Sequence, residues 1–199
     1  MKETSGNTKL TIVESADETL APSQQSECLS ECRTDWSDWV PDIRATLMFV
    51  TRGDEVLLIH KLTGIGEGKV NGPGGKIDPG ETAEQAIIRE CQEELHITTL
   101  NPIKMGELCF AMSDIPDIHC HVYVTEEFEG TPTATVEADP FWCKISDIPY
   151  EKMWDDDQFW LPQMLAGNKV FGRFSFECED ILWKEIFIGD AAVQGWLGE

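Results

Sequence analysis

The stretch from Gly72 to Ile97, GPGGKIDPGETAEQAIIRECQEELHI, joins a glycine-rich segment to a run of helix-forming residues. Thr82 is followed three residues later by Gln85, which is the spacing of a capping box, so we predict that a helix begins at Ala83. Apolar residues recur along this helix at spacings of three and four, which gives it one buried stripe. The stripe consists of Ile87, Ile88, Cys91 and Leu95.

The predicted helix carries three glutamates, Glu90, Glu93 and Glu94, at positions i, i+3 and i+4. Side chains at these spacings lie on one face of a helix, so the three carboxylates repel one another unless a cation neutralises them. Arg89 lies four residues before Glu93 and can brace part of the cluster. Convergent carboxylates suit hard divalent ions, above all Mg²⁺, with Mn²⁺ as a substitute. A solvated acidic helix face explains the same residues, and the spacing alone leaves both interpretations open.

The residues before the helix, GPGGKIDPGE, are rich in glycine. Glycine lets the backbone approach a ligand closely and turn its carbonyl or amide groups inward. Because this loop leads directly into the acidic helix, phosphate oxygens and a divalent ion would share one pocket.

The combination of Gly75, Glu81 and the run RECQEELHI resembles the Nudix box, G-x5-E-x7-R-E-U-x-E-E-x-G-U, in which U is a large aliphatic residue. Five charged positions of that pattern match: Glu81, Arg89, Glu90, Glu93 and Glu94. Two positions depart from it. Cys91 replaces an aliphatic residue, which a small hydrophobe can do, and His96 replaces a glycine at the predicted end of the helix.

The resemblance extends from about residue 45 to residue 187, and within the Nudix family it is greatest to the animal-type oxidised purine nucleoside triphosphatases. The segments that carry it are KVNGPGGKIDPGET, EGTPTATVEADPFW and IPYEKMWDDDQFWLP. It implies an α/β fold, the Nudix α/β/α sandwich, with a mixed β-sheet and the box as a loop-helix-loop. We therefore expect a Nudix domain over residues 42–199. Residues 1–41 are polar and weakly patterned, so we expect a largely disordered extension, in which TDWSDWV could still dock its two tryptophans on the domain.

The resemblance also implies a reaction, the Mg²⁺-dependent hydrolysis of a nucleoside triphosphate to monophosphate and pyrophosphate. It assigns Glu90, Glu93 and Glu94 to the metal, with the carbonyl of Gly74 or Gly75 as a further ligand. Arg89 and Glu81 match an orienting pair of the catalytic box. Glu137 matches a family position that reaches the metal from a loop, although an exposed loop acid explains this residue equally well.

Recognition of the purine is implied for a second set of residues. The matching positions are Asn71, Lys61, Trp154, Asp156 and Asp157. Acids before a short helix also cap it and interact with its dipole, and we assign that role to Asp155 and base recognition to the two aspartates that follow. Ile65 and Met112 replace aromatic residues of the related pocket, so the base preference is left open.

Composition restricts the partners and the compartment. The chain of 199 residues has 37 acidic against 15 basic residues and a formal net charge of -22, which argues against binding to nucleic-acid polymers or anionic membranes. No apolar run approaches the length of a membrane span. The seven cysteines include no C-x-x-C pair, so free thiols in a reducing cytosol fit best. We expect a cytoplasmic monomer that acts on a small nucleotide.

Beyond the box, the pattern predicts mostly strands. ATLMFVTR and EVLLIHK are predicted to form a hairpin around Gly53 and Asp54, with further strands at DIHCHVYVT, PFWCKI, VFGRFSFE and DILWKEIFI. The segment SDIPYEKMWDDDQFWLPQMLAG predicts a turn and a short helix ending near Gly167. His119 and His121 alternate along one strand and could be a metal pair, but we interpret them as a half-exposed face.

Two other functions are consistent with these residues. One is hydrolysis of another nucleoside diphosphate-linked compound, such as a dinucleoside polyphosphate or an RNA cap. The other is a nucleotide-binding module without catalytic activity, which the intact Glu90, Glu93 and Glu94 disfavour because an inactive member does not need them.

Overall fold

A computed structural model describes Leu10–Ser15 and residues 33–189. The strands are β1 (Leu10–Ser15), β2 (Ile43–Arg52), β3 (Glu55–Lys61), β4 (Val70–Asn71), β5 (Ile97–Leu100), β6 (Ile103–Met112), β7 (Ile118–Thr125), β8 (Glu127–Gly130), β9 (Ala138–Lys144), β10 (Val170–Glu177) and β11 (Asp180–Ile188). The α-helices are α1 (Ala83–Leu95) and α2 (Asp157–Leu165). Short 3-10 turns cover Ile145–Asp147 and Tyr150–Lys152.

Nine strands form one mixed sheet in the order β1-β11-β10-β6-β7-β2-β3-β4, with β9 also paired to β3. The β10–β6 and β2–β7 pairs are parallel, and the other pairs of this sheet are antiparallel. β5 and β8 form a separate antiparallel pair. Within the described residues, no helix has the length and apolar character needed to cross a membrane.

The predicted hairpin of β2 and β3 is confirmed. Val50 lies opposite Leu57 and Arg52 opposite Glu55, so the chain reverses over Gly53 and Asp54. Gly53 has φ of 63°, a conformation that glycine adopts without steric cost. β3 also pairs with β4 and β9, and Lys61 and Asn71 lie in this part of the sheet.

The two helices cover opposite faces of the sheet. Met48 and Val50 of β2 share a buried cluster with the α1 residues Ile87, Cys91 and Leu95. Phe49, whose side chain points the other way because neighbouring strand residues alternate, packs in the cluster that contains Trp160, Leu161 and Met164 of α2. The expected α/β/α sandwich is therefore confirmed.

β7 is buried on both faces, so the prediction of a half-exposed strand is wrong. His119 is 4% exposed and His121 is 5% exposed. The ring of Trp39, from the segment before β2, packs edge-on against His119 at a centroid distance of 6.5 Å. Burial is also the main cause that lowers the pKa of His121 to about 3, so this imidazole is neutral.

The described parts of residues 1–41 contact the domain. Leu10–Ser15 pairs antiparallel with β11, and the carbonyl of Arg33 accepts a hydrogen bond from the Ser175 hydroxyl at 2.9 Å. Trp36 and Trp39 are buried in a cluster with Cys109, so the docking of these tryptophans is confirmed. Residues 1–9 and 16–32, the rest of the expected extension, lie outside the described residues, as do residues 190–199.

Candidate active site

The helix α1 holds the acidic residues of the box in place. The Thr82 hydroxyl accepts a hydrogen bond from the Gln85 amide at 3.2 Å, and the Gln85 side chain accepts one from the Thr82 amide at 2.9 Å. The predicted capping box and start at Ala83 are therefore confirmed. The helix ends at Leu95, and its C-cap residue, His96, has a left-handed backbone with φ of 58° and ψ of 31°. A non-glycine residue there costs on the order of 1 kcal/mol.

Arg89 connects three of the predicted acidic residues. Its Nε and Nη2 donate to the two oxygens of Glu81, each at 2.9 Å, while Nη1 donates to Glu90 at 2.8 Å and to Glu93 at 2.9 Å. The bond from Arg89 is the main cause that lowers the pKa of Glu81. Burial raises the pKa of Glu90, and Arg89 opposes that shift. Arg89 thus fixes the position of neighbouring carboxylates whose repulsion would separate them.

Glu94 is the most buried of the three helix glutamates, at 1% exposure. One of its oxygens contacts the ammonium group of Lys61, and the other accepts a hydrogen bond from the Gly74 amide at 2.9 Å. A buried carboxylate requires such partners because desolvation of an isolated charge is unfavourable. Glu94 therefore connects α1 both to the glycine loop and to β3.

Gly75 lies directly against Glu90. A Cβ atom at this position would come within 2.5 Å of the Glu90 carboxyl carbon and 2.6 Å of both its oxygens. The Gly75 carbonyl accepts hydrogen bonds from the Thr46 amide at 2.9 Å and from the Thr46 hydroxyl at 3.4 Å. Only glycine allows the loop to approach the acidic helix this closely.

A cavity of about 270 Å³ opens beside this loop. Several residues predicted from the sequence line it together: Lys61, Asn71, Gly74, Gly75, Glu137, Trp154, Asp156 and Asp157. Glu90 and Glu94 approach the same loop through Gly75 and Gly74 respectively. Glu93 is 57% exposed and points to solvent beside Arg89, and Glu81 lies behind the same guanidinium. The structure thus joins a deep pocket to the acidic helix.

Asp156 and Asp157 are two adjacent carboxyl groups buried at the cavity wall. They are 2% and 3% exposed, respectively. The Trp160 indole donates to Asp156 at 2.8 Å, and the Trp154 amide donates to Asp157 at 3.1 Å. Burial raises the pKa of Asp156 to about 7, and burial together with the neighbouring Asp156 raises that of Asp157. The pair therefore retains a proton at neutral pH.

The assignment of the helix cap to Asp155 is wrong. The cap position before α2 is occupied by Asp156, which makes no capping bond with its side chain. The Asp155 carboxylate instead accepts a hydrogen bond from the Gln158 side chain at 2.6 Å. Asp156 and Asp157 are buried, whereas Asp155 is exposed.

Trp154 forms one side of the cavity and is held from several directions. The ammonium of Lys69 lies 4.8 Å from its ring centroid, and the ring of Phe176 packs edge-on against it at 6.1 Å. A Cβ on Gly66 would come within 3.1 Å of the indole nitrogen, so the loop before β4 also lies close. Trp154 is therefore held in one orientation at the cavity wall.

The remaining two predicted residues have looser surroundings. The Asn71 side-chain oxygen accepts a hydrogen bond from the Gly72 amide at 2.8 Å, which leaves its amide group available to a ligand. Glu137 is exposed in the loop before β9 and is held through its backbone, where its carbonyl accepts from the Leu62 amide at 2.8 Å.

Sequence reasoning missed several residues of the cavity. Phe110, Cys120, Trp160 and Phe176 also line it. One signal was present, since Trp160 lies four residues after Asp156 on the predicted helix and so can reach it. The others depend on strand pairing. Met112 lies opposite Phe176 only because β6 and β10 run parallel, which no local pattern indicates.

This geometry agrees with comparison to known proteins. Residues 41–164 match the NUDIX domain. The chain belongs to the Nudix family. It is 38% identical over 140 residues to the oxidized purine nucleoside triphosphate hydrolase of Danio rerio and 36% identical over 140 residues to that of Mus musculus. Each alignment covers 69% of this chain and 88% of the relative.

Two further matches are shorter or show the fold alone. The 8-oxo-dGTP diphosphatase of Escherichia coli is 41% identical over 66 residues, which are 32% of this Nudix chain and 49% of the relative. The crystal structure of a MutT protein from Bacillus halodurans superposes with a TM-score of 0.64 at 24% identity, covering 72% of this chain and 97% of that one. The fold expected from the sequence is thus shared with a solved structure.

Proposed function

We propose that this Nudix protein hydrolyses oxidised purine nucleoside triphosphates to the monophosphate and pyrophosphate and so cleanses the nucleotide pool. The observation that carries the proposal is the buried pair Asp156 and Asp157 in the wall of a cavity that adjoins the acidic helix. The carboxyl groups that would recognise the base therefore lie near the carboxylates that would hold the metal ion for the phosphates. The printed names of the Danio rerio and Mus musculus relatives support the same activity.

The donor set on α1 fits a hard divalent ion. Glu90, Glu93 and Glu94 offer carboxylate oxygens, the Gly75 backbone lies against Glu90 where a side chain would intrude, and Glu137 lines the adjoining cavity. Oxygen donors of this kind favour Mg²⁺, with Mn²⁺ as a substitute. We propose these residues, with the Gly74 or Gly75 carbonyl, as the ligands. A bound divalent ion would supply charge neutralisation for the phosphate chain.

The chain's own residues would orient the reacting groups. Arg89 and Glu81 hold the helix carboxylates in register and need not touch the substrate. Water would attack the β-phosphorus, the bridging oxygen would leave with the α-phosphate as monophosphate, and the new oxygen would remain in pyrophosphate. Positioning is the main requirement of such a reaction, because little covalent chemistry falls to the protein.

Base recognition would fall to the other end of the cavity. Trp154 would stack on the purine, while Asp156, Asp157 and Asn71 would form hydrogen bonds with its edge. Because Asp156 and Asp157 retain a proton between them, one carboxyl can donate and the other accept. Lys61, which contacts Glu94 and also lines the cavity, lies between the base end and the acidic helix.

We also propose that the catalytic unit corresponds to residues 42–199 and acts as a cytoplasmic monomer on free nucleotides. Five cysteines of the described residues, Cys91, Cys109, Cys120, Cys143 and Cys178, are free thiols, which fits a reducing compartment. Size-exclusion chromatography with light scattering tests the monomer.

Chromatographic measurement of the products formed from a panel of nucleotides with Mg²⁺ tests the activity. The panel contains 8-oxo-dGTP, 2-oxo-dATP, dGTP, a dinucleoside polyphosphate and a capped RNA. We expect the highest kcat/KM for an oxidised purine triphosphate. A preference for the dinucleotide or the cap would contradict the proposal, and tight binding of nucleotide without turnover would identify a non-catalytic module.

A further inference from the structure

Glu107, His119 and His121 form a second cluster of ligating side chains, on the sheet face away from the cavity. Glu107 of β6 lies directly opposite His121 of β7, and His119 is two residues earlier on the same strand. Cys120, between the two histidines, lines the cavity. Because neighbouring strand residues point to opposite faces, both histidines point away from the base pocket.

The potential ligand atoms of these three residues are close together. His119 Nε2 is 2.9 Å from one Glu107 oxygen, and His121 Nδ1 is 3.8 Å from the other. All three ligand atoms lie within 4.8 Å of one another. Zn²⁺ bonds of about 2.0–2.1 Å in tetrahedral geometry place ligand atoms about 3.3 Å apart. Small side-chain rotations would therefore bring the three atoms onto one ion.

One ring nitrogen of the cluster has no hydrogen-bond partner. His121 Nδ1 is buried and has no hydrogen-bond partner, and the whole side chain is only 6% exposed. A polar atom left without a partner in the interior is unfavourable and calls for an explanation. Since Nδ1 is the atom that faces Glu107, a bound ion would satisfy it. The ring of Trp39, packed edge-on against His119, covers this side of the cluster.

We propose that Glu107, His119 and His121 bind a divalent transition-metal ion, best matched by Zn²⁺, at a site separate from the carboxylates of α1. Two imidazoles and one carboxylate suit Zn²⁺, whereas an all-oxygen set suits Mg²⁺. The two sites would therefore select different ions. The ion would tie β6 to β7 beneath Trp39 and so stabilise the packing of the segment that precedes β2.

Two nearby cations oppose this binding and must move. The ammonium of Lys104 contacts Glu107, and Arg44 Nη2 lies 3.4 Å from His121 Nε2. An ion on Nδ1 would require a proton on Nε2, so Arg44 could no longer donate to it. Both side chains can turn into water, because Arg44 is exposed and the Lys104 side chain is 41% exposed. The Arg44 contact is also long for a hydrogen bond and is easily given up.

Metal titration of the full chain tests the site. The protein is stripped with a chelator, kept in excess Mg²⁺ to occupy the α1 carboxylates, and titrated with Zn²⁺ by calorimetry and with Co²⁺ by visible absorption. We expect one Zn²⁺ per chain at this site and a tetrahedral Co²⁺ spectrum. The double variant His119→Gln, His121→Gln should weaken Zn²⁺ binding at least about 100-fold, because it removes two of three ligands.

The chain offers a matched control in its other two histidines, His60 and His96. The double variant His60→Gln, His96→Gln removes as many imidazoles and should bind Zn²⁺ as the wild type does. Zn²⁺ should also raise the Tm of the wild type and of this control, and should not raise that of the double variant at His119 and His121.

Three results would overturn the proposal. They are the absence of Zn²⁺ binding by the wild type, equal affinity in the wild type and the variant at His119 and His121, and a loss of binding in the control. If the histidine variant does not fold, the isosteric Glu107→Gln decides. It should weaken Zn²⁺ binding at least about tenfold, and unchanged affinity would locate the ion elsewhere.

Discussion

The ammonium group of Lys61 is paired with the buried carboxylate of Glu94, so a residue of the cavity wall neutralises a residue of the acidic helix. The Gly74 amide binds the other oxygen of the same carboxylate. These two donors replace the water that the Glu94 carboxyl group loses on burial. A divalent ion that binds Glu94 would compete with Lys61 and release its ammonium toward the cavity, where a phosphate oxygen could take it.

The first prediction concerns this carboxylate. Glu94→Gln should lower kcat by about 10³-fold or more, because loss of a metal ligand removes several kcal/mol of transition-state stabilisation. Steady-state pyrophosphate release measures the effect, and circular dichroism checks that the variant is folded. Glu84→Gln, an exposed acid in the first turn of the same helix, is the matched control and should retain wild-type kcat. Near-normal turnover in a folded Glu93→Gln, Glu94→Gln double variant would contradict the metal assignment.

The second prediction uses the contact between Gly75 and Glu90. Gly75→Ala should lower kcat about 10-fold or more, because a new Cβ would come within 2.5 Å of the Glu90 carboxyl group and displace it. Gly80→Ala in the same loop separates this effect from backbone strain. Gly80 has φ of 91° with nothing within 4 Å of a new Cβ, so its variant should lose Tm and keep kcat. Equal kcat losses in both variants would show that strain, and not Glu90, is responsible.

Much of the site could be predicted from the sequence because its signals are local. The capping box at Thr82 and Gln85, the stripe of Ile87, Cys91 and Leu95, and the spacing of the glutamates all depend on residues within one helix. Residues three or four positions apart lie on the same face of a helix, so their spacing alone predicts that face. The hairpin at Gly53 is local in the same sense.

The features that were missed depend on contacts between distant segments. The strands β1, β4, β5, β6 and β8 were not predicted, and each of them either is paired with a strand well removed in sequence or is only two residues long. The alternation of β7 correctly gave two faces, but the burial of His119 involves Trp39, some eighty residues earlier, which packs against it. Likewise the burial that distinguishes Asp156 from Asp155 depends on the tertiary fold.

The third prediction concerns the docked tryptophans. Trp36→Ala and Trp39→Ala should each lower the free energy of unfolding by about 3 kcal/mol, because each removes a buried aromatic side chain. Trp39 additionally donates a hydrogen bond to Asp117 at 2.7 Å. Since neither tryptophan lines the cavity, kcat/KM should stay within about twofold of the wild type at a temperature where the variants are folded.

Chemical denaturation and steady-state kinetics check this result. Val40→Ala is the control, because Val40 is 76% exposed and its truncation should change neither the free energy of unfolding nor kcat/KM. A chain that begins at Asp42 should likewise turn over nucleotide, with a lower Tm, because it lacks the tryptophan cluster and β1. A markedly raised KM in either tryptophan variant would show that this segment contributes to the base pocket.

The fourth prediction is a pH dependence of stability. The pKa of Asp156 is raised by burial from 3.8 to about 7, and that of Asp157 is raised as well. Between about pH 4 and pH 7 the folded chain keeps protons that the unfolded chain releases, so this contribution to stability is present at low pH and is lost as pH rises. The asparagine in Asp157→Asn cannot ionise. The difference between the Tm of this variant and that of the wild type should therefore shift in favour of the variant by several degrees from pH 5 to pH 8. The exposed Asp139→Asn should show no such gain, and a constant Tm difference for Asp157→Asn would contradict the prediction.

The last prediction tests whether Asp156 and Asp157 read the base. If the pair shares a proton, it can present its donor and acceptor in either order and so accept both 8-oxo-dGTP and 2-oxo-dATP. Asparagine at Asp157 would fix one order and should lower kcat/KM for at least one of these substrates about 100-fold or more, because buried polar groups would be left unpaired. The measurement is kcat/KM for both nucleotides and for dGTP on the wild type, Asp156→Asn and Asp157→Asn. Asp155→Asn is the adjacent control, because this carboxylate binds Gln158 and does not line the cavity. A purely structural role for the pair predicts an altered Tm with substrate ratios unchanged within about twofold, well below 1 kcal/mol.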